Sequence, residues 1–69
     1  MKMRERVGLN LQNLRRARGL SQEALALMAE IDRTYVGKIE NGKYSVSVDV
    51  LEQLSKALDI DTIEFFRPR

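Results

Sequence analysis

Apolar residues recur along this chain mostly at helical spacings, in segments cut off by glycine and by residues suited to capping. Val7, Leu11 and Leu14, four and three apart, draw one stripe on a helix from about Lys2 to Arg18. Gly19 ends it, free to take the left-handed conformation just past a helix end. Gly8, inside that helix, costs about 1 kcal/mol relative to alanine. It marks either a close approach by another helix or a frayed first turn. Ser21 is a good N-cap and Glu23 suits the positive end of a helix dipole, so a second helix runs to about Ala29 and buries Leu25, Ala26 and Ala29. Glu30 occupies the corner and Ile31 plugs the core. Asp32 caps a third helix from Arg33 to about Asn41, with Val36 and Ile39 inward and Asn41-Gly42 as its stop.

Lys43 to Val46 read as a loop. Ser47 caps a fourth helix to about Leu58, carrying Val50, Leu51, Leu54, Ala57 and Leu58 on one stripe. Ile60 returns to the core, and Asp61 caps a last short helix with Ile63, Phe65 and Phe66. The pattern predicts an all-α fold, five helices in a single domain over residues 1–69, with no strand, repeat or linker.

Composition narrows the chemistry. The chain has 69 residues with no cysteine and no histidine. Disulfides, zinc-finger sites and thiol or imidazole catalysis are therefore unavailable. No acid–base pair, metal cluster or phosphate loop is evident, so neither an enzyme nor a metal or other cofactor is expected. No apolar run reaches membrane-spanning length and no signal peptide is evident, which makes a cytoplasmic protein the default expectation.

The net charge of +2 hides an uneven distribution. Residues 1–18 hold Lys2, Arg4, Arg6, Arg15, Arg16 and Arg18 against Glu5; residues 44–66 hold Lys56 against Asp49, Glu52, Asp59, Asp61 and Glu64. A cationic end and an anionic end suit one face for a polyanion and one turned away from it. Scattered surface charge with no partner would give the same counts.

The segment Ser21–Gly42, SQEALALMAEIDRTYVGKIENG, concentrates the functional signal. It is two short capped helices around a tight corner, the second with small, polar and cationic residues outward, as suits a helix presented to the major groove of DNA. Leu14-Arg15, Gly19-Leu20-Ser21-Gln22, Leu25-Ala26, Val36, Ile39-Glu40-Asn41-Gly42-Lys43 and Leu54-Ser55-Lys56-Ala57-Leu58 together resemble the Cro/C1-type (XRE-like) helix-turn-helix family of phage repressors and small bacterial regulators. Asp32-Arg33-Thr34-Tyr35 followed by Ile39-Glu40 is also similar to the small controller proteins of restriction–modification systems. The resemblance spans roughly residues 7–66. It implies a compact, five-helix, lambda-repressor-like domain with its helix-turn-helix at about 21–41. Glu30 and Asp59 stand where that family usually has glycine, which implies slight strain at both corners.

In such a fold the start of the third helix meets base edges. Arg33, Thr34 and Lys38 are the candidates, since Arg and Lys donate to guanine O6 and N7 and Thr bonds a base or touches a thymine methyl. Tyr35 reaches either a base edge or the sugar–phosphate backbone. Gln22, with Ser21 beside it, lies where amide groups and the helix dipole suit a phosphate, a local capping bond being its other role. Asn41 and Lys43 would clamp the backbone, besides any turn-forming role. The resemblance pairs Arg15 with Glu40 as an ion pair that steadies the recognition helix. It also puts dimer contacts at about residues 59–67, with Ile63, Phe65 and Phe66 as candidates; one Phe is expected in the core.

The expected function is a sequence-specific regulator of transcription that binds double-stranded DNA at a palindromic operator as a homodimer. It would act by occluding or recruiting RNA polymerase, most simply as a repressor, with no small-molecule effector. The rival expectation is an antitoxin-like module that binds DNA but mainly covers a toxin protein, using Leu27, Met28 and the Phe pair.

Overall fold

The computed structural model describes all 69 residues as four α-helices and a closing 3-10 helix: α1 Met3–Ala17, α2 Gln22–Ala29, α3 Arg33–Glu40, α4 Val48–Leu58 and the 3-10 turn Thr62–Phe66. The last element differs from the expected fifth α-helix only in being wound more tightly. Five residues are too few for a stable α-helical nucleus, and tight i→i+3 bonding is the usual form of so short a piece. The all-helical class holds.

Each helix start is held by its own side chain. Ser21 Oγ accepts from the Ala24 amide at 3.0 Å, Asp32 Oδ1 from Thr34 at 2.7 Å and Ser47 Oγ from Val50 at 3.1 Å. At α1 the Glu5 carboxylate accepts from the Lys2 amide at 2.7 Å. Such caps satisfy amides that have no partner inside the helix. The ends are equally defined, because Gly19, Glu30, Gly42 and Asp59 all take left-handed backbone, with φ of 68°, 59°, 70° and 55°. Two of the four are carboxylates, which lack glycine's freedom there.

The core is one cluster: Val7 and Leu11 of α1, Leu25, Ala26 and Ala29 of α2, Val36 and Ile39 of α3, Leu51, Leu54 and Leu58 of α4, and Phe65. Helix α1 packs across α3 and the 3-10 helix, while α2 packs on α3 and α4. Gly8 lies where α1 crosses the end of α3, so the close approach is the reason for this glycine. Alanines at 26 and 29 let α2 and its neighbours draw together.

Asn10 is a polar residue on the buried face of α1. Its amide nitrogen donates to the carbonyls of Phe65 at 2.8 Å and Arg67 at 2.9 Å, and its oxygen accepts from Arg69 at 2.9 Å. The C-terminal residues are thereby tied to the first helix. Arg18 adds a hydrogen bond to the Leu58 carbonyl at the end of α4.

Candidate nucleic-acid interface

Helix α3 is amphipathic in a way that decides what it can meet. Val36 and Ile39 point into the core, while Arg33, Thr34 and Lys38 are exposed and Tyr35 is half-buried. Two shallow grooves run together over this face. One is lined by Arg15, Ser21, Gln22, Glu23 and Arg33, the other by Gln22, Arg33, Thr34, Gly37, Lys38 and Asn41. Neither has an apolar lining residue. The start of α2 and the outer face of α3 are thus one polar surface, with Gln22 and Arg33 shared between its halves.

The arrangement rests on a buried ion pair. Arg15 Nε donates to Glu40 Oε2 at 2.6 Å and a terminal nitrogen donates to Oε1 at 3.1 Å; the other terminal nitrogen donates to the Leu20 carbonyl at 2.7 Å. The two side chains are 9% and 1% exposed. A bidentate fork fixes direction as well as distance, so the end of α3 is locked to α1. The hydrogen bond to Glu40 is the largest influence on the Arg15 guanidinium and raises its pKa further above the ordinary arginine value, against an opposing effect of burial. Gln22 joins the pair, its amide nitrogen donating to Glu40 Oε1 at 3.0 Å. One carboxylate therefore ties α1, α2 and α3 together.

The residues singled out in the sequence do not all converge. Arg33, Thr34, Lys38, Gln22, Asn41 and Ser21 border the grooves, Ser21 with its hydroxyl occupied by the α2 cap. Tyr35 faces a neighbouring hollow lined by Asp32, Thr34, Lys38 and Tyr44. Lys43 is exposed past the end of α3, outside both grooves, its amide bonded to the Lys38 carbonyl at 3.3 Å. At the other end of the chain Ile63 and Phe66 are exposed, but Phe65 is completely buried. The assignment of Phe65 to a dimer contact is corrected: its ring fills the monomer core and leaves no surface for a partner.

Two features were not singled out from the sequence. Asn10 had a signal, since a polar residue three after Val7 and one before Leu11 shares their buried stripe. Tyr44 had none, because it sits in a loop with no periodicity to place it. No helix is long and apolar enough to cross a membrane. No group of three or more His, Cys, Asp or Glu side chains is placed to hold a metal ion.

A short capped helix set against a second helix, whose polar, cationic side faces outward, defines a helix-turn-helix protein of the DNA-binding kind. The family model described as Helix-turn-helix (HTH_3) matches residues 11–65, and the chain belongs to that family of DNA-binding transcription regulators. It is 45% identical over 62 residues to the control protein C.MunI from Mycoplasma sp, across 88% of this chain and 84% of that protein. Its fold is similar to the crystal structure of the restriction–modification controller protein C.AhdI from Aeromonas hydrophila, with a TM-score of 0.89 and 44% identity, covering 91% of this chain and 96% of the other. It is also similar, at TM-score 0.86 and 29% identity, to the controller protein C.Esp1396I, solved as a tetramer in complex with its natural 35 base-pair operator; the match covers 96% of this chain and 87% of that one.

Proposed function

We propose that this chain is a homodimeric regulator that reads a palindromic operator through α3. Arg33, Thr34 and Lys38 contact base edges, with Tyr35 at the edge of that surface. Gln22, Ser21, Asn41 and Lys43 hold phosphates on either side. The observation that carries this reading is the continuous polar groove across the start of α2 and the face of α3, which has no apolar lining residue. The similarity to a controller protein solved on its operator supports the same reading.

Residues 1–69 act as one DNA-binding domain, and not as an enzyme, in the cytoplasm with access to the chromosome. Pairing uses the C-terminal region through Ile63 and Phe66, both exposed. Two-fold pairing sets the recognition helices about 34 Å apart, one turn of DNA. The dimer represses by occluding RNA polymerase or activates by recruiting it.

Selection from a random duplex pool tests the reading. The expected product is a palindrome with half-sites one helical turn apart, bound about 10³-fold or more above unrelated DNA at the same salt. Absence of enrichment overturns it. A second reading, an antitoxin-like surface for a toxin protein, draws on the exposure of Leu27 at 81% and Met28 at 52% on α2. Leu27→Lys would abolish such a complex and leave operator binding unchanged.

A further inference from the structure

Tyr44, in the loop after α3, contacts two members of the proposed reading surface. Its ring meets that of Tyr35 edge to face, with centroids 5.1 Å apart and planes at 79°. The Nζ atom of Lys38 lies 5.3 Å from the centroid of the Tyr44 ring, within range for attraction of a cation by an aromatic ring. These side chains border one hollow with Asp32 and Thr34, beside the first turn of α3. The loop is led there by Gly42, whose φ of 70° turns the chain, and by the hydrogen bond from the Lys43 amide to the Lys38 carbonyl.

Lys38 is exposed and carries its charge on a flexible four-carbon stem. Left alone, such a side chain samples many rotamers and loses that freedom when it bonds a base. A ring beside the ammonium restricts it beforehand. Tyr35, half-buried against the core, supports that ring at its edge.

We propose that Tyr44 is a positioning residue for base recognition: it holds the Lys38 ammonium beside the first turn of α3, so that Lys38 enters the groove already oriented. Discrimination gains because less side-chain freedom is lost on binding. The inference rests on the reading of α3 as the base-contacting helix. Tyr44 is 42% exposed and outside the core cluster, so its removal leaves no internal cavity.

The test compares the wild type with Tyr44→Phe, Tyr44→Leu, Lys38→Ala and the double variant Lys38→Ala/Tyr44→Leu. One readout needs no DNA: the NMR shift of the Lys38 Cε protons, which the Tyr44 ring current displaces. The other is the affinity ratio between the selected operator and its single-base-pair variants at one salt concentration. Tyr44→Phe should keep both. Tyr44→Leu should remove the ring-current displacement and lower the ratio about two- to fivefold, in keeping with an exposed cation–π contact. In the Lys38→Ala background the same change should have no further effect.

An unchanged ratio in Tyr44→Leu overturns the proposal, as does an equal loss on every duplex or an undiminished effect when Lys38 is absent. Failure of the wild type to enrich any operator removes the base-reading role of α3 and this inference with it. A wild type that selects its palindrome, matched by Tyr44→Leu selecting it as strongly, removes only the role of Tyr44.

Discussion

A Cβ atom added to Gly8 would stand 2.3 Å from the carbonyl oxygen of Ile39, and 2.9 Å from that of Glu40. Both are backbone atoms at the end of α3, which cannot swing aside as a flexible side chain can. The first helix is therefore seated directly against the last turn of the recognition helix, and the absence of a side chain at residue 8 sets the distance.

Gly8→Ala should accordingly destabilise the fold, although alanine is the better helix former by about 1 kcal/mol. Pushing α1 off α3 costs about 1–3 kcal/mol net, as overpacking usually does. Urea denaturation should show a lower midpoint with an unchanged slope. A midpoint equal to or above that of the wild type would show that the helices separate freely.

Breaking the Arg15–Glu40 pair should cost more than the pair is worth. Either Arg15→Ala or Glu40→Ala strands a buried partner, at about 3–5 kcal/mol, whereas Arg15→Met/Glu40→Leu should cost far less than the two losses added. The sign with pH follows from the raised Arg15 pKa. A cation whose folded pKa is raised contributes stability throughout the range below its unfolded value, and loses it only as pH climbs through the folded one. The Arg15→Ala penalty should thus be the same at about pH 7 and about pH 10, below the titration of any arginine. A double-mutant cycle at both pH values measures this.

Glu30→Gly and Asp59→Gly should each raise stability. Both residues hold left-handed backbone with φ of 59° and 55°, a conformation that costs an L-residue about 1–2 kcal/mol. Glycine removes that strain and gives back part of the gain through its freer unfolded state. A net rise of about 0.5–1 kcal/mol is expected, visible as a melting temperature a few degrees higher (about 4–8 °C per kcal/mol at this size). No rise at either corner would show that the carboxylates offset their own strain.

Adjacent phenylalanines should behave as opposites. Phe65→Ala empties a fully buried site and should cost about 3–5 kcal/mol of monomer stability. Phe66→Ala should leave the fold nearly intact and weaken self-association, measured by sedimentation at several concentrations. Equal dimerisation in Phe66→Ala and wild type would exclude this ring from the interface.

On DNA, Arg33→Ala should lose about 1–3 kcal/mol at one base position and relax the sequence preference there. Lys43→Ala should instead weaken all duplexes alike and flatten the salt dependence by about one unit. Quantitative binding to the selected operator and to its variants, over a salt series, separates the two behaviours.

Local chemistry carried most of the architecture. Ser21, Asp32, Ser47 and Asp61 each cap the element that follows, because the bond they make spans only two or three residues. The exposed side of α3 was legible for the same reason: a helix of known phase must turn Arg33, Thr34 and Lys38 outward once Val36 and Ile39 turn in. Periodicity left open which of two adjacent aromatics is core, because the short final segment winds as a 3-10 helix rather than at the α-helical pitch.

The sequence alone thus determined the helices, their caps and corners, and the family. These depend on neighbours a few residues apart, and a short period repeats often enough to be read. Only the tertiary structure decided that Gly8 admits α3 at close range, that Gln22 shares the Glu40 carboxylate with Arg15, that Asn10 anchors the end of the 3-10 helix and the residues after it, and that Tyr44 comes up beside Lys38. Most of those relationships join residues far apart in the chain, across helices whose relative placement the packed core sets. Tyr44 and Lys38 are close in sequence, yet a loop without a period gives no direction to a side chain. Its direction came from the turn at Gly42 and the Tyr35 ring against which it packs.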